Sequence, residues 1–72
     1  MTEHFRLERN ALKWNIYLLA LAEYDDPYVA KNVAAETVDN LPDNRVRAWL
    51  RQPERLKFTN GKLVHPSDYK MR

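Results

Sequence analysis

The sequence predicts an α+β domain, mainly α: three short helices followed by a C-terminal β-hairpin. Three observations carry that reading. Ala30, Val33, Ala34, Thr37, Val38 and Leu41 recur at i, i+3, i+4, i+7, i+8 and i+11, the period of one face of a helix. Pro27, Pro42 and Pro53 punctuate the middle of the chain at helix-length intervals, and proline breaks a helix because it lacks an N–H and its ring clashes with the preceding turn. Asn60-Gly61 sits between Leu56-Lys57-Phe58 and Leu63-Val64, a hairpin signal because both central residues of a type I′ turn need positive φ.

The elements follow in order. Residues 3–8 alternate, Phe5 and Leu7 against His4, Arg6 and Glu8. They read either as a strand that joins the hairpin or as the first turn of a longer helix; length does not separate the two. Asn10 is placed to cap a helix from Ala11 to about Tyr24, its side-chain oxygen accepting an otherwise orphaned N–H. Leu12, Ile16 and Leu19 form one stripe on it, and Trp14, Leu18 and Leu21 a second. A helix apolar on two sides is expected to run through the core, with Trp14 inside.

Asp25-Asp26-Pro27 stops that helix and starts the next. An aspartate caps it, and proline suits the first helical position. This second helix should end near Asn40, ahead of Pro42. Asp43 or Asn44 then caps a third, with Val46, Trp49 and Leu50 inward. Asn44, Arg47, Ala48 and Arg51 face outward, flanked by Arg45 and Gln52, and Pro53 closes the helix. In the hairpin Leu56, Phe58, Leu63 and His65 supply the inward side. Ser67 is placed to cap one last turn, and residues 70–72 are expected to fray.

Seventy-two residues make one small domain spanning 1–72, in which only about 60–65% of the unfolded chain's surface can be buried. With 31% charged and 44% apolar residues the composition is that of a globular protein, not a disordered one. There is no cysteine, so disulfides and thiolate metal sites are excluded. A single glycine excludes the Gly-rich phosphate loops, which need several. The longest apolar run, Ile16 to Ala22, falls far short of the roughly 20 residues of a bilayer span. A cytoplasmic protein without a membrane anchor is expected.

No enzyme is expected either. Nucleophilic catalysis would need Ser67 or a threonine held by a positioned base, and His4 and His65 lie near opposite ends of the sequence, where they would meet only in a three-stranded sheet. Asp25–Asp26 and Asp39–Asp43 are explained by helix ends, and so small a chain has little room for a ligand pocket of about 300 Å³. Neither cofactor, metal nor small-molecule substrate is expected.

Charge is more informative. The net charge of +2 divides into −4 over residues 1–44 and +6 over residues 45–72. Such asymmetry points to a polyanion or an acidic protein surface meeting the C-terminal part. An ordinary solvated surface, whose two halves attract each other within the fold, would carry the same numbers. The candidate binding residues are Arg45, Arg47 and Arg51 on the third helix, with Arg55, Lys57 and Lys62 on the hairpin after it. A basic helix with a basic ribbon alongside can neutralise phosphates and read guanine edges. Trp14, Tyr17, Tyr24 and Tyr28 are candidate interface anchors, Trp14 the one expected instead in the core.

Val46-Arg47-Ala48-Trp49-Leu50-Arg51, Arg55-Leu56, Gly61-Lys62-Leu63-Val64 and Pro66-Ser67-Asp68-Tyr69 together resemble the winged-helix core of phage excisionases and related regulators. The resemblance covers about residues 28–69. It implies a DNA-contacting helix carrying Arg45, Arg47 and Arg51 and a wing carrying Lys57, Asn60 and Lys62. The stretch from Val29-Ala30 to Val46 is longer than that family's tight helix-turn-helix, with Pro42 in the turn. In size and charge the chain also resembles the small bacteriophage regulators that bind bacterial RNA polymerase, inhibiting initiation or promoting antitermination. That second resemblance implies a non-catalytic transcription regulator whose partner is the polymerase, and it carries over no individual residues.

Overall fold

The computed structural model describes residues 3–59 and 61–67. In order they form α1 (Glu3–Tyr24), α2 (Pro27–Asp39), α3 (Asp43–Arg51), a 3-10 turn (Pro53–Arg55), β1 (Lys57–Thr59) and β2 (Lys62–Val64). This is the expected α+β, mainly α architecture. The expected fraying at residues 70–72 falls outside the described residues.

The start of α1 departs from expectation. Residues 3–8 are helical, so the strand alternative is overturned and the sheet has two strands. Asn10 lies inside the helix rather than at its cap. A tertiary contact accompanies this longer helix. Arg9 sits one turn before Leu12 and donates hydrogen bonds to the carbonyls of Val38 and Leu41 (2.9 Å for the latter) and to Asp43 Oδ1 at 2.7 Å. Helical geometry at residue 9 is what lets one guanidinium reach the end of α2 and the start of α3 together.

Only one stripe of α1 is buried. Leu12, Ile16 and Ala20 are fully covered, while Trp14 is 62% exposed and Leu18 is exposed as well. The expectation that Trp14 belongs to the core is therefore wrong. A chain of this size has too little α2 and α3 to surround a helix, so the second apolar face stays in water. Leu12 and Ile16 pack instead with Ala34 and Val38 of α2, Val46 and Trp49 of α3, and Leu56. Small residues at 30 and 34, both buried, leave room for α1 and α2 to approach closely.

Between these helices Asp25 adopts φ 55, the left-handed conformation that reverses the chain. Asp26 caps α2 as expected: its Oδ1 accepts from the backbone N–H groups of Tyr28 (2.9 Å) and Val29 (3.4 Å), and Pro27 occupies the first turn. Asn40 ends α2, its backbone N–H donating to the Glu36 carbonyl at 3.2 Å and its Nδ2 to the same oxygen at 2.8 Å.

The expected cap of α3 is corrected. Pro42, in an extended conformation, holds the N-cap position without a side-chain bond; Asp43 is the first helical residue and Asn44 the second. Proline's φ suits the entry to a helix, and the Asp43 carboxylate, freed from capping, engages Arg9. Inward residues are Val46 and Trp49; Leu50 is half-buried, and so are Ala48 and Arg45, which were expected on the outside.

In the hairpin Lys57 pairs with Val64, Phe58 with Leu63 and Thr59 with Lys62. Gly61 has φ 78, the positive value expected at the turn; Asn60 lies outside the described residues. Phe58 and Leu63 are half-buried on one face, and the Phe58 ring meets Tyr24 edge-on at 5.7 Å, tying the ribbon to the end of α1.

Candidate binding surface

The basic surface is built around His65, which is 2% exposed and stacks on Trp49 with ring centroids 6.1 Å apart. Its two ring nitrogens face partners of opposite kind. Nε2 lies 3.0 Å from the Gln52 carbonyl, which can only accept, so Nε2 carries the proton. Nδ1 accepts from the Ser67 backbone N–H at 3.1 Å and from the Ser67 hydroxyl at 2.8 Å. The neutral ring thus bolts the segment after β2 to the C-terminal end of α3. His4 is on α1, so the three-stranded sheet that would have joined the histidines does not form. With its Nδ1 already bound locally, His65 acts as a brace.

Against this brace lies a depression of about 360 Å³, lined by Ala48, Arg51, Gln52, Arg55, His65, Pro66 and Ser67. Arg51 and Arg55 therefore share one rim, although Arg55 belongs to the 3-10 turn and not, as expected, to the hairpin. Strand parity places Lys57, Thr59, Lys62 and Val64 on the same face of the ribbon, so Lys57 and Lys62 form a second exposed pair. Arg51, Arg55, Lys57 and Lys62 are all exposed.

Arg47 and Arg45 are placed differently. Arg47 Nε lies 3.6 Å from Glu8 Oε1 on α1, and Arg45 is half-buried. The face of α3 that the winged-helix resemblance assigns to DNA is thus flanked by the N-terminal turns of α1. Sequence reasoning had no means of placing Glu8 there, because the two residues are far apart in the chain and share no local pattern.

A second concavity was not expected at all. Between α1 and α2 runs an open groove of about 740 Å³, lined by Asn10, Lys13, Trp14, Tyr17, Pro27, Tyr28, Lys31, Ala34 and Ala35. Little room was expected for a ligand pocket of the 300 Å³ class; this concavity is a trough along the seam of α1 and α2, open to solvent along its length. Among the described residues no group of three or more His, Asp or Glu side chains could hold a metal ion, and no helix is long and apolar enough to cross a membrane. No family model, curated protein or solved structure matches the chain.

Proposed function

We propose that the chain is a non-catalytic regulator of bacterial transcription, of the kind phages encode, that works in the host cytoplasm by binding RNA polymerase to inhibit initiation or promote antitermination. The observation that carries this reading is the exposed quartet of Arg51, Arg55, Lys57 and Lys62, displayed at the end of α3 and on the ribbon while residues 1–44 carry a net −4. A dipolar molecule of this sort suits an acidic protein surface, where complementary charge steers encounter and fixes orientation. It suits a duplex less well, because the acidic remainder would face phosphates at close range.

Position favours protein over DNA as well. A reading helix needs its outer face open to enter the major groove, and here α1 lies beside it, with Arg47 against Glu8 and Arg9 against Asp43.

The test is co-elution of the chain with purified core polymerase, with and without initiation factor. Binding is expected for the native chain and at least about tenfold weaker for the Arg51→Glu, Arg55→Glu pair. Absence of co-elution under both conditions overturns the reading. Steep salt-dependent binding to duplex DNA, abolished by Arg47→Ala with Arg51→Ala, would replace it with the excisionase-like alternative; capture of a different host protein would make the chain an inhibitor of that protein.

A further inference from the structure

The outer side of α1 carries a second apolar seam. Leu7, Ala11, Trp14, Leu18 and Leu21 follow one another at intervals of four, three, four and three residues, the heptad spacing by which one helix meshes with another. On a helix of 3.6 residues per turn they fill an arc of about 80°, on the side opposite the buried stripe of Leu12, Ile16 and Ala20. Leu7 is 65%, Trp14 62% and Leu18 48% exposed; Ala11 is exposed and Leu21 half-buried. The Trp14 ring is held by stacking on Tyr17 at 5.6 Å and 22°, so it loses little freedom on contact. Asn10 and Tyr17 flank the seam on one side, Asn15 and Ala22 on the other, and none of the four is charged. Asn15 turns its amide back onto the Ala11 carbonyl at 3.0 Å, and Lys13 lies toward α2, paired with Asp39 at 3.4 Å.

We propose that this seam is a homodimer interface, in which two copies of the chain pack α1 against α1, antiparallel, across a two-fold axis level with Leu12 and Lys13. Trp14 then covers Ala11 of the second copy, Ala11 receives the second copy's Trp14, and Leu7 meets Leu18 at each end. The seam is its own complement. An isologous contact requires that when one residue meets another the reverse pair also forms, and here both reciprocal pairs set a large ring on a small side chain. A parallel pair would instead put Trp14 on Trp14 and Ala11 on Ala11, overfilling one layer and leaving a void in the next. Sliding the antiparallel pair by one heptad would cover the half-buried Leu21 and leave Leu7 in water. Charge agrees, because the flanks bring no like charges together; a nucleic acid, which needs a track of cations, finds none along the seam. Such a contact covers about 500 Å² on each copy, or about 1,000 Å² in the pair, the lower end for a specific interface. The dimer is therefore weak and concentration-dependent. The proposal does not depend on polymerase being the chain's partner.

The test is sedimentation equilibrium of the whole chain from about 5 to 500 μM, with far-UV circular dichroism of every variant. The native chain is expected to pass from the mass of one chain toward that of two and no further. That rise should persist from about 0.1 to 0.5 M salt, because the seam is uncharged. Ala11→Glu changes an exposed helical position that glutamate tolerates. It should weaken association at least about tenfold, by setting an unpaired carboxylate under Trp14. Trp14→Ala and Ala11→Trp should each weaken association by a similar factor. The double variant exchanges the two members of one layer and should associate within about threefold of the native chain. A one-chain mass at every concentration overturns the proposal; loss of polymerase co-elution in Ala11→Glu would then assign the face to that partner. Association that salt dissolves belongs to the opposed charges of the two halves and overturns it as well. So does a mass that climbs past two chains, or a double variant no better than the single ones. The Arg51→Glu, Arg55→Glu pair should sediment as the native chain does, so this proposal and the polymerase reading fail separately.

Discussion

Replacing Arg9 with alanine tests the contact that joins all three helices. Its guanidinium donates to the carbonyl of Val38 in the last turn of α2, to that of Leu41 in the connection after it, and to the carboxylate of Asp43, which begins α3. The Val38 carbonyl already accepts from the Leu41 N–H at 3.2 Å, and Arg9 adds a charged donor to it and to the Leu41 carbonyl from 29 and 32 residues away. Each carbonyl bond contributes about 1 kcal/mol net. The Asp43 contact is half in water and adds about 0.5 kcal/mol. The expected loss is therefore about 2–3 kcal/mol. A domain this small has roughly 4–11 kcal/mol in total, so the fold becomes marginal. In urea, with a slope of about 1 kcal/mol per molar, the midpoint should fall by about 2–3 M, read by far-UV circular dichroism. Asp43→Ala alone should cost only about 0.5 kcal/mol, and Arg9→Lys should recover less than half of the loss, because an ammonium cannot span three acceptors in the planar fork that arginine provides. An Arg9→Ala midpoint within about 0.5 M of the native chain would refute the view that this side chain sets the register of the three helices.

Four further outcomes follow from local geometry, all measured by urea unfolding. Asp26→Ala removes the cap of α2 and should cost about 1 kcal/mol. Asp25→Gly relieves the left-handed backbone at φ 55 and withdraws a negative charge from the C-terminal end of α1, stabilising by about 0.5–1 kcal/mol. Ala34→Leu forces a larger side chain between Leu12 and Val38 and should cost about 1–3 kcal/mol. His65→Ala leaves the Gln52 carbonyl and the Ser67 N–H without the ring between them and should cost about 2–3 kcal/mol; the same variant should weaken whatever binds the Arg51–Arg55 rim.

Features set by neighbouring residues were legible in the sequence. Asp26-Pro27 with the run from Ala30 to Leu41 located α2, because capping and helical periodicity act within a few residues. Asn60-Gly61 located the hairpin for the same reason. The beginning of α1 was not legible: residues 3–8 alternate with the period of a strand, yet Glu3, Arg6, Leu7 and Glu8 are also good helix formers, and Glu8 and Arg9 meet partners from much later in the chain. The orientation of Trp14 was hidden for a related reason. Two apolar stripes announce that a helix has two faces worth burying, but whether a second face is covered depends on how much chain remains to cover it. Arg55 was expected on the hairpin and lies in the 3-10 turn, while the elements that carry Arg45, Arg47, Arg51, Lys57 and Lys62 were legible. Their grouping was not, since the meeting of Arg51 with Arg55 depends on a 3-10 turn and on a histidine brace, neither of which has a periodic signature.

The same contacts that rigidify the domain also separate its two exposed surfaces. Arg9 fixes α1 against the junction of α2 and α3, so the groove holding Trp14 and Tyr28 keeps its shape through the α1–α2 seam. His65 fixes the ribbon's exit against the end of α3, so the Arg51–Arg55 rim keeps its shape through a different set of bonds. Neither surface needs the other to be occupied in order to be formed. A partner that touches both would bind by two preformed contacts on one rigid body, and linking two such contacts multiplies their effect without any new interaction. The arrangement makes weak individual sites compatible with tight overall binding. For the proposed polymerase complex it predicts that Arg51→Glu weakens binding while the far-UV circular dichroism of the domain stays that of the native chain.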